Sequence, residues 1–413
     1  MSARSRLLAF ICLAFLSALA CRTAEGWLGL GDEPVTADSS PPTASVPASP
    51  PEVSTTDDLR IETFAPRDSE MTVRFTLQPG EVSFLFTATA TDPNSEVAIL
   101  RVTAPDGTLL YEDDYDSDLP GGGWFTDFVY DYGEVGLFLP IVPQMPLPPG
   151  EYAVLVSTEA AGFSDLRVIF KRGPADAPQA LDFTIWLATG ELGVITAPDL
   201  DEIRGEMDAL LAPHDLRVGA FNVQEPDTSV VAQFAEIDDD ETHLDELDIP
   251  AACGVMARAG GASRSVHLIV VDWITASDAE PGDIVGYSAG LPGSILNPGG
   301  RLSCIVASYQ AYLGSNLEHG LTWIHEAAHF MGLLHTTEED GLYFDNLADT
   351  PQCPADRFDG DGDGYVDDYE CGREGGADNF LFYSGILEFA PFTITPDQAW
   401  VLRRHPLFYP VAP

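Results

Sequence analysis

The sequence predicts an all-β sandwich followed by an α+β domain, in which a mixed twisted sheet packs against one long helix that bears histidines. Turn-separated strand patterns fill residues 57–172. Strand and helix patterns alternate through residues 178–413. An apolar stripe at helical spacing accompanies three histidines, the first at His325 and the last at His335. The 413 residues are enough for two hydrophobic cores.

The first residues have the pattern of an export signal and a tether. Residues 1–20 join two early arginines to an apolar run that is too short for a comfortable membrane span. The small residues before Cys21 fit ordinary cleavage, and Cys21 resembles the lipidated cysteine of bacterial lipoproteins, although leucine is absent three residues earlier. Residues 21–56 are rich in Pro, Ser, Thr and Ala and predict an extended tether. We therefore expect an extracytoplasmic protein, either a lipoprotein attached to the bacterial cell envelope through Cys21 or a secreted one.

Residues 57–172 are expected to form the sandwich because apolar strand patterns alternate with Pro-Gly, Asp-Gly and Pro-Pro-Gly turns. The strand patterns are Met71–Leu77, Val82–Thr89, Val97–Ala104, Glu151–Ser157 and Leu166–Phe170. This region loosely resembles the β-sandwich accessory domains of secreted bacterial peptidases. The region contains no convincing cysteine of the kind with which a pro-segment blocks a catalytic metal. A binding role and a pro-segment role therefore both stay open.

The second domain opens with a strand pattern at Leu181–Leu187, and an amphipathic helix begins near Pro198. Val266–Trp273 is a continuous apolar run, which is typical of a strand at the centre of a sheet. Near the end of the chain, Thr395 and Gln398 have the spacing of a capping box. This box predicts a C-terminal helix.

The segment HEAAHFMGLLH has the composition and spacing of a catalytic zinc site. His325 and His329 are four residues apart, so a helix presents both ring nitrogens to one ion about 2 Å away. Gly332 can adopt a left-handed conformation, end the helix and let His335 approach as a third ligand. Three protein ligands leave a fourth position for water, whose pKa zinc lowers towards about 7, and Glu326 can accept its proton.

The helix around this segment fits a buried site. Its apolar stripe consists of Leu317, Leu321, Ile324, Met331 and Leu334. Ser315 or Asn316 can cap its start, and His319 is expected to be a solvated helix residue. The alternative interpretation is an HExxH sequence that arose by chance in an ordinary amphipathic helix, but the full pattern is much rarer than those five residues.

The HExxHxxGxxH segment resembles the metzincin zinc peptidases, in which a methionine-containing turn lies under the metal and a tyrosine follows two residues later. Residues 378–383, DNFLFY, are similar to the Asn-x-Met-x-Tyr turn of the pappalysin-like branch, with Leu381 at the methionine position. Leucine is apolar and of similar volume, so the floor beneath the metal can survive. The resemblance implies that Tyr383 approaches the metal or the developing oxyanion. Its alternative role is that of a half-buried core tyrosine.

Further segments strengthen the resemblance to the pappalysin-like branch. Residues 347–353, LADTPQC, resemble its Asp-Thr-Pro segment, and residues 394–398, ITPDQ, resemble the start of its last helix. Residues 284–293, IVGYSAGLPG, resemble the edge strand along which metzincins hold an extended substrate by strand addition. The resemblance covers residues 180–409 and implies a metzincin-like catalytic domain.

Residues 359–370 match a twelve-residue calcium loop, with Gly364 at the sharp bend. The expected oxygen ligands are Asp359, Asp361, Asp363, the carbonyl of Tyr365, Asp367 directly or through water, and bidentate Glu370. The alternative is a solvated, acidic, glycine-rich loop. Cys371 and Gly372 follow at once, so we expect a calcium-stabilised loop and not a calcium-sensing pair of helices.

Outside the signal and the lipidation site, four cysteines remain, an even number that suits an oxidising compartment. Cys353 and Cys371 are expected to form a bridge around the calcium loop, which leaves Cys253 with Cys304. The sequence alone also allows the other two pairings.

The net charge of −47, with one lysine in the chain, argues against a nucleic-acid partner. The sequence therefore predicts an exported endopeptidase with catalytic zinc, structural calcium and a peptide or protein substrate; it does not determine the oligomeric state. One alternative, motivated by Leu381 and the β domain, is a non-catalytic surface binding or adhesion module on a metallopeptidase scaffold. Retention of Glu326 argues against it. A third candidate, zinc-dependent hydrolysis of a non-peptide amide, is disfavoured by the strand that resembles a peptide-binding edge.

Overall fold

The structure is a computed structural model that describes residues 51–411 except 57, 67, 113–129, 191–194, 239–247, 277–278, 298, 311–314 and 385–388. The predicted export signal and Cys21 lie outside the described residues, as does nearly all of the predicted tether. Within the described part, no helix is both long and apolar enough to cross a membrane.

The N-terminal region consists of two antiparallel sheets. Its strands are β1 (Glu52–Thr55), β2 (Leu59–Thr63), β3 (Glu70–Leu77), β4 (Glu81–Ala90), β5 (Glu96–Thr103), β6 (Leu109–Glu112), β7 (Tyr130–Tyr132), β8 (Glu134–Leu139), β9 (Gly150–Thr158) and β10 (Phe163–Arg172). One sheet has the order β1-β2-β10-β4-β8, and the other has the order β3-β9-β5-β6, with β7 also paired to β5. Phe75, Phe84, Tyr152 and Phe170 pack their rings together in the core. Each predicted strand corresponds to an observed strand with slightly different ends.

The tether is shorter than predicted, because Glu52–Thr55 forms a strand antiparallel to Leu59–Thr63. All four residues of this strand are exposed. Backbone pairing with a neighbouring strand positions the segment, and no burial of side chains is involved. Its polar composition therefore gave no indication that it belongs to the folded part.

The second region is a mixed α+β arrangement. Its first elements are β11 (Gln179–Leu187), α1 (Ala197–Leu211), a 3-10 turn (Ala212–His214), β12 (Leu216–Gln224), α2 (Thr228–Phe234), β13 (Glu236–Asp238), α3 (Asp248–Gly260) and β14 (Val266–Val271). The next strands are β15 (Trp273–Ala276), β16 (Ala279–Ile284), β17 (Gly286–Ser288) and β18 (Cys304–Ser308). The remaining elements are α4 (Asn316–Phe330), α5 (Ala355–Phe358), α6 (Asp368–Cys371), α7 (Pro396–Arg404) and β19 (Tyr409–Pro410).

The main sheet of this region has the order β12-β11-β14-β18-β17, and β19 pairs with the start of β11. Its first four strands are parallel, whereas β17 runs antiparallel to β18 at one edge. Every residue of β14 is buried, because both faces of a central parallel strand are covered. This confirms the prediction of a central strand that begins at Val266. A smaller sheet has the order β13-β15-β16.

The sandwich is joined to the second region by a buried polar contact at Lys171, the one lysine of the chain. Its Nζ donates to the Gln179 side chain at 2.6 Å and to the main-chain carbonyls of Arg403 at 2.6 Å and His405 at 3.0 Å. Burial lowers the pKa of Lys171 well below its usual value. Three acceptors surround the Nζ atom, so the contact links β10 to the C-terminal segment.

Apolar contacts extend this interface towards the histidine helix α4. The ring of Phe138 in β8 lies 5.1 Å from that of His405, centroid to centroid, and a Cβ added to Gly332 would lie 3.8 Å from the Phe138 ring. At Gly136, an added Cβ would lie 2.6 Å from the carbonyl oxygen of Pro292. Glycine is therefore needed at residue 136, where the two main chains approach closely. The sandwich thus packs directly behind the end of α4.

Candidate metal centre

Helix α4 begins and ends as its sequence predicts. The Ser315 side chain caps it by accepting a hydrogen bond from the Glu318 N–H at 3.3 Å. At the other end, Gly332 has a φ of +91°, and its N–H donates to the His329 carbonyl at 2.7 Å. A left-handed residue at this position reverses the chain. The segment that carries His335 is thereby directed back towards the helix.

The three histidines bring their Nε2 atoms together. The Nε2 of His325 lies 2.9 Å from that of His329 and 3.3 Å from that of His335. Zinc held in tetrahedral geometry by bonds of 2.0–2.1 Å separates its nitrogen ligands by about 3.3 Å. All three side chains are buried, and these three residues could hold a metal ion. Burial lowers the pKa of His325 to about 3 and that of His329 well below its usual value, so both rings are neutral at pH 7.

The Nδ1 atoms of the same rings each face an oxygen. His325 donates to the Phe380 carbonyl at 2.7 Å and His329 donates to the Leu333 carbonyl at 2.7 Å. His335 faces both carboxylate oxygens of Glu338, at 3.0 and 2.9 Å. Because these oxygens only accept hydrogen bonds, an Nδ1–H donates to each of them, and Nε2 is the nitrogen that each ring can offer to a metal. Three lone pairs therefore converge, which is the arrangement of a histidine metal site.

The turn at residues 378–383 contacts this site through the Phe380 carbonyl, which accepts from His325 Nδ1. Asn379 and Gln398 exchange two amide hydrogen bonds of 3.0 Å, and both side chains are buried. Asn379 also accepts from the Leu381 N–H at 2.9 Å, and the Leu381 carbonyl accepts from the Thr336 N–H at 2.9 Å. The turn is thus joined to helix α7 on one side and to the segment after His335 on the other.

Helix α7 forms as predicted, with Thr395 as its cap and with both hydrogen bonds of the capping box present. Its Gln398 has a second function that the capping pattern did not reveal, since the same side chain pairs with Asn379. A glutamine three residues after a capping threonine predicts a helix start. It does not predict a partner 19 residues earlier in the chain.

Tyr383 occupies a core position and is more buried than expected, with 4% of its surface exposed. Its hydroxyl donates to the Val366 carbonyl at 2.7 Å, and burial raises the pKa of the phenol. Of the two roles that the sequence left open, this geometry describes the core role. A contact of the phenol with a bound metal or an oxyanion stays a prediction.

Glu326 lies against the edge strand of the main sheet. It is 1% exposed, and a Cβ added to Gly286 would lie 2.6 Å from its Oε1 atom. Only glycine permits this approach of strand β17 to the carboxylate. The sequence placed Gly286 in an edge strand, but it did not reveal this contact with Glu326. The contact places the carboxylate between the histidine helix and the strand.

The acidic loop, residues 359–370, gathers part of its predicted ligand set. The carboxylates of Asp359, Asp361 and Glu370 each offer an oxygen within 4.8 Å of the others. Asp363 accepts from the Tyr365 N–H at 3.0 Å, Asp367 caps helix α6, and neither belongs to this group. Two members of the group also accept local backbone bonds: Asp359 accepts from Gly362 at 2.7 Å and from Gly364 at 3.2 Å, and Glu370 accepts from Gly360 at 2.7 Å.

A one-turn helix, α5, precedes the acidic loop, and α6, which overlaps the last three residues of the loop, is also one turn long, in keeping with the expectation of no regular exit helix. Gly364 has a φ of +95°, which allows the sharp bend. Disulfides join Cys353 to Cys371 and Cys253 to Cys304. The first of these closes the chain around the loop.

His319 is buried, and the expectation of a solvated residue is wrong. It is 3% exposed, and its ring stacks on Tyr309 with centroids 5.4 Å apart and planes 4° apart. Burial lowers its pKa to about 4. Tyr309, which follows strand β18, covers the His319 side of the helix.

Comparisons with known proteins identify no family. No protein-family profile and no curated protein matches the chain. Among solved structures, metalloproteinase-II from Bacteroides fragilis has a TM-score of 0.30 and 12% identity over 59% of this chain and 62% of that chain. A xylanase from Cellvibrio japonicus has a TM-score of 0.14 and 10% identity, over 37% of this chain and 32% of that one. Protein YXIM from Bacillus subtilis has a TM-score of 0.15 and 10% identity, over 51% and 60%.

The chain spans less than two thirds of each of these proteins. Likenesses of this strength carry no argument about activity. The function of the protein is therefore inferred from the residues and the geometry of the site.

Proposed function

We propose that this protein is an exported zinc-dependent endopeptidase of the metzincin type, similar to the pappalysin-like branch. The observation that carries the proposal is the convergence of the Nε2 atoms of His325, His329 and His335, each ring with its Nδ1 directed at an oxygen. Such an arrangement leaves neutral imidazole lone pairs to bind a borderline-soft cation. The residues present fit zinc.

Zinc bound there would lower the pKa of a bound water towards about 7 and polarise a substrate carbonyl. Glu326 lies beside the first histidine ligand and is buried, so it can accept the proton of the attacking water and pass it to the leaving amine. Its place against Gly286 brings it close to strand β17.

Strand β17 supports a peptide substrate in particular. It ends the sheet order β12-β11-β14-β18-β17 and runs antiparallel to β18. An extended peptide can add to such an edge through main-chain hydrogen bonds. Its scissile carbonyl would then lie near Glu326, which contacts the same strand. This arrangement favours a peptide or protein substrate over a small amide.

The test is Glu326→Gln with Glu318→Gln as the matched control. Both variants neutralise one glutamate of α4, but Glu318 lies in the first helical turn, two turns before the histidine site. We expect Glu326→Gln to keep one zinc per chain and to lose peptide cleavage by a factor of about 10²–10⁴, which is the usual contribution of a general base. The control should cleave a peptide library as the parent does.

Undiminished cleavage in Glu326→Gln would overturn the mechanism. If the parent binds zinc but cleaves nothing, the protein is better described as a surface binding or adhesion module on a metallopeptidase scaffold. Leu381 at the methionine position motivates that second candidate.

The proposal includes a structural calcium ion in the acidic loop. Asp359, Asp361 and Glu370 already lie together, and hard oxygen ligands suit Ca²⁺. Export through an N-terminal signal, with lipid attachment at Cys21 or free secretion, is also part of the proposal. The two disulfides favour an oxidising compartment. The strongly acidic composition argues against a nucleic-acid partner.

A further inference from the structure

We infer that Glu338 is a positioning residue, which holds His335 in the orientation and tautomer that a metal ion requires. The inference rests on the proposed function, because it needs a metal at the three histidines. It adds to that site a residue that lies outside the HExxHxxGxxH segment.

The three histidines are not held alike. His325 and His329 donate their Nδ1 protons to main-chain carbonyls, whereas His335 donates to a carboxylate. Both Glu338 oxygens lie near the Nδ1 atom, at 3.0 and 2.9 Å. Hydrogen bonds to a charged acceptor are stronger than those to a neutral one. The third ligand therefore has a different partner from the first two.

His335 needs this partner because helix α4 does not orient it. His325 and His329 lie within α4, one turn apart, so helical geometry directs both rings to the same side. His335 follows Gly332, where the chain leaves the helix with a φ of +91°. Its ring direction must come from a contact outside the helix, and the carboxylate of Glu338 provides one.

Main-chain contacts hold Glu338 in place. Its N–H donates to the Tyr343 carbonyl at 3.0 Å, and its carbonyl accepts from the Gly341 N–H at 2.8 Å. Gly341 has a φ of +62°, and an added Cβ there would lie 2.7 Å from the nitrogen of Ala355. The turn is thus packed against the segment after Cys353.

The carboxylate is also shielded from water. The Glu338 side chain is 18% exposed and the His335 side chain is 0% exposed. Partial shielding strengthens a hydrogen bond between them. A carboxylate that accepts from a ligating histidine makes the ring a better donor to the metal, and its loss commonly weakens metal affinity by about 10–100-fold. Glu338 would therefore matter most for metal affinity.

The experiment compares zinc affinity and metal-free stability in Glu338→Gln and Glu338→Ala, with Asp340→Asn as the matched control. The control removes the same charge two residues away, and asparagine can still accept from the Leu342 N–H as Asp340 does at 2.8 Å. Zinc affinity is measured by competition with a chromophoric chelator. Thermal unfolding is measured after the metal has been removed.

We expect Glu338→Gln to bind zinc about 10–100-fold more weakly than the parent and Glu338→Ala to bind it at least as weakly. The melting temperature of the metal-free protein should be unchanged in Glu338→Gln, and Asp340→Asn should bind zinc as the parent does. This pattern separates positioning of a ligand from general support of the fold.

Equal zinc affinity in the parent and both Glu338 variants would overturn the inference and leave the proposed function standing. The inference also fails if Asp340→Asn weakens zinc to the same degree, or if the metal-free melting temperature falls in Glu338→Gln. A parent protein that binds no zinc would overturn both the inference and the proposed function.

Discussion

The histidine site, formed by His325, His329 and His335, and the acidic loop of residues 359–370 gather ligand atoms in different ways. In the histidine site the rings are buried, and the His325 ring is held by a carbonyl 55 residues away. In the acidic loop the carboxylates of Asp359 and Glu370 accept from exposed backbone N–H groups no more than ten residues away.

Charge separates the two regions further. Neutral imidazoles can converge in a buried site without repelling one another. Packing of the protein can therefore place the three rings before a metal ion binds. Carboxylates that share a small volume repel one another unless a cation lies between them. The comparison predicts that zinc supplies chemistry in the histidine site, whereas calcium serves to hold the acidic loop together. Both ions should raise the free energy of unfolding, because each binds only the folded protein.

The largest effect that would sharpen this comparison is calcium-dependent stability. Calcium at 1,000 times its dissociation constant should raise the free energy of unfolding by about 4 kcal/mol, because it binds only the folded loop. We expect Glu370→Gln to abolish this gain while zinc content stays at one per chain. Urea unfolding with calcium, and with a chelator too weak to strip zinc, measures it.

The control is Glu374→Gln, which neutralises an exposed carboxylate just beyond the loop. It should keep the full calcium response. A parent protein with the same stability in calcium and in chelator would break the comparison, since the acidic loop would then be a solvated segment.

A second prediction concerns His267, which is buried but lies outside the histidine site. It tests the effect of burial on the pKa of a histidine separately from metal binding. Burial lowers its pKa from 6.5 to about 4, so the unfolded chain binds the proton more readily than the folded one. Stability therefore falls as the pH drops below 6.5, and the loss attributable to His267 approaches about 3 kcal/mol near pH 4.

The variant His267→Leu lacks this proton site, although it also loses the hydrogen bond from the Trp186 ring at 3.3 Å. It should be less stable than the parent at pH 7. The difference in free energy of unfolding between the two proteins should narrow as the pH falls from 6.5 to about 4. Urea unfolding across this range measures the difference. A difference that stays constant with pH would show that burial of this ring does not shift its pKa.

The smallest predicted effect concerns Leu381, which the family resemblance places beneath the metal. Leu381 is fully buried, and methionine has a similar volume and is also apolar. Leu381→Met should therefore change the free energy of unfolding by less than about 1.5 kcal/mol and leave zinc affinity nearly unchanged. Leu381→Ala, the control that creates a cavity, should cost about 2–5 kcal/mol.

Urea unfolding and chelator competition measure both Leu381 variants. A large rise in zinc affinity or cleavage in Leu381→Met would show that the residue at this position tunes the site. The side chain at residue 381 would then be more than an apolar support for the site.

Local patterns predicted the parts of the fold that depend on short stretches of chain. The start of α7 follows from a capping box over four residues, and the end of α4 follows from Gly332. The central strand that begins at Val266 follows from its unbroken apolar run. No sequence pattern predicted the strand Glu52–Thr55, because its side chains are exposed and only pairing with a neighbouring strand positions it.

By itself, the sequence determined which residues can ligate metals and at what spacing, since a helix turn and a twelve-residue loop place their side chains by local geometry. The tertiary structure decided what surrounds them. It alone showed Glu338 on His335, Asn379 paired with Gln398, Gly286 against Glu326 and Lys171 between the two regions. Apart from the first, these contacts join residues 19 to 232 positions apart, and their formation depends on the path of the whole chain.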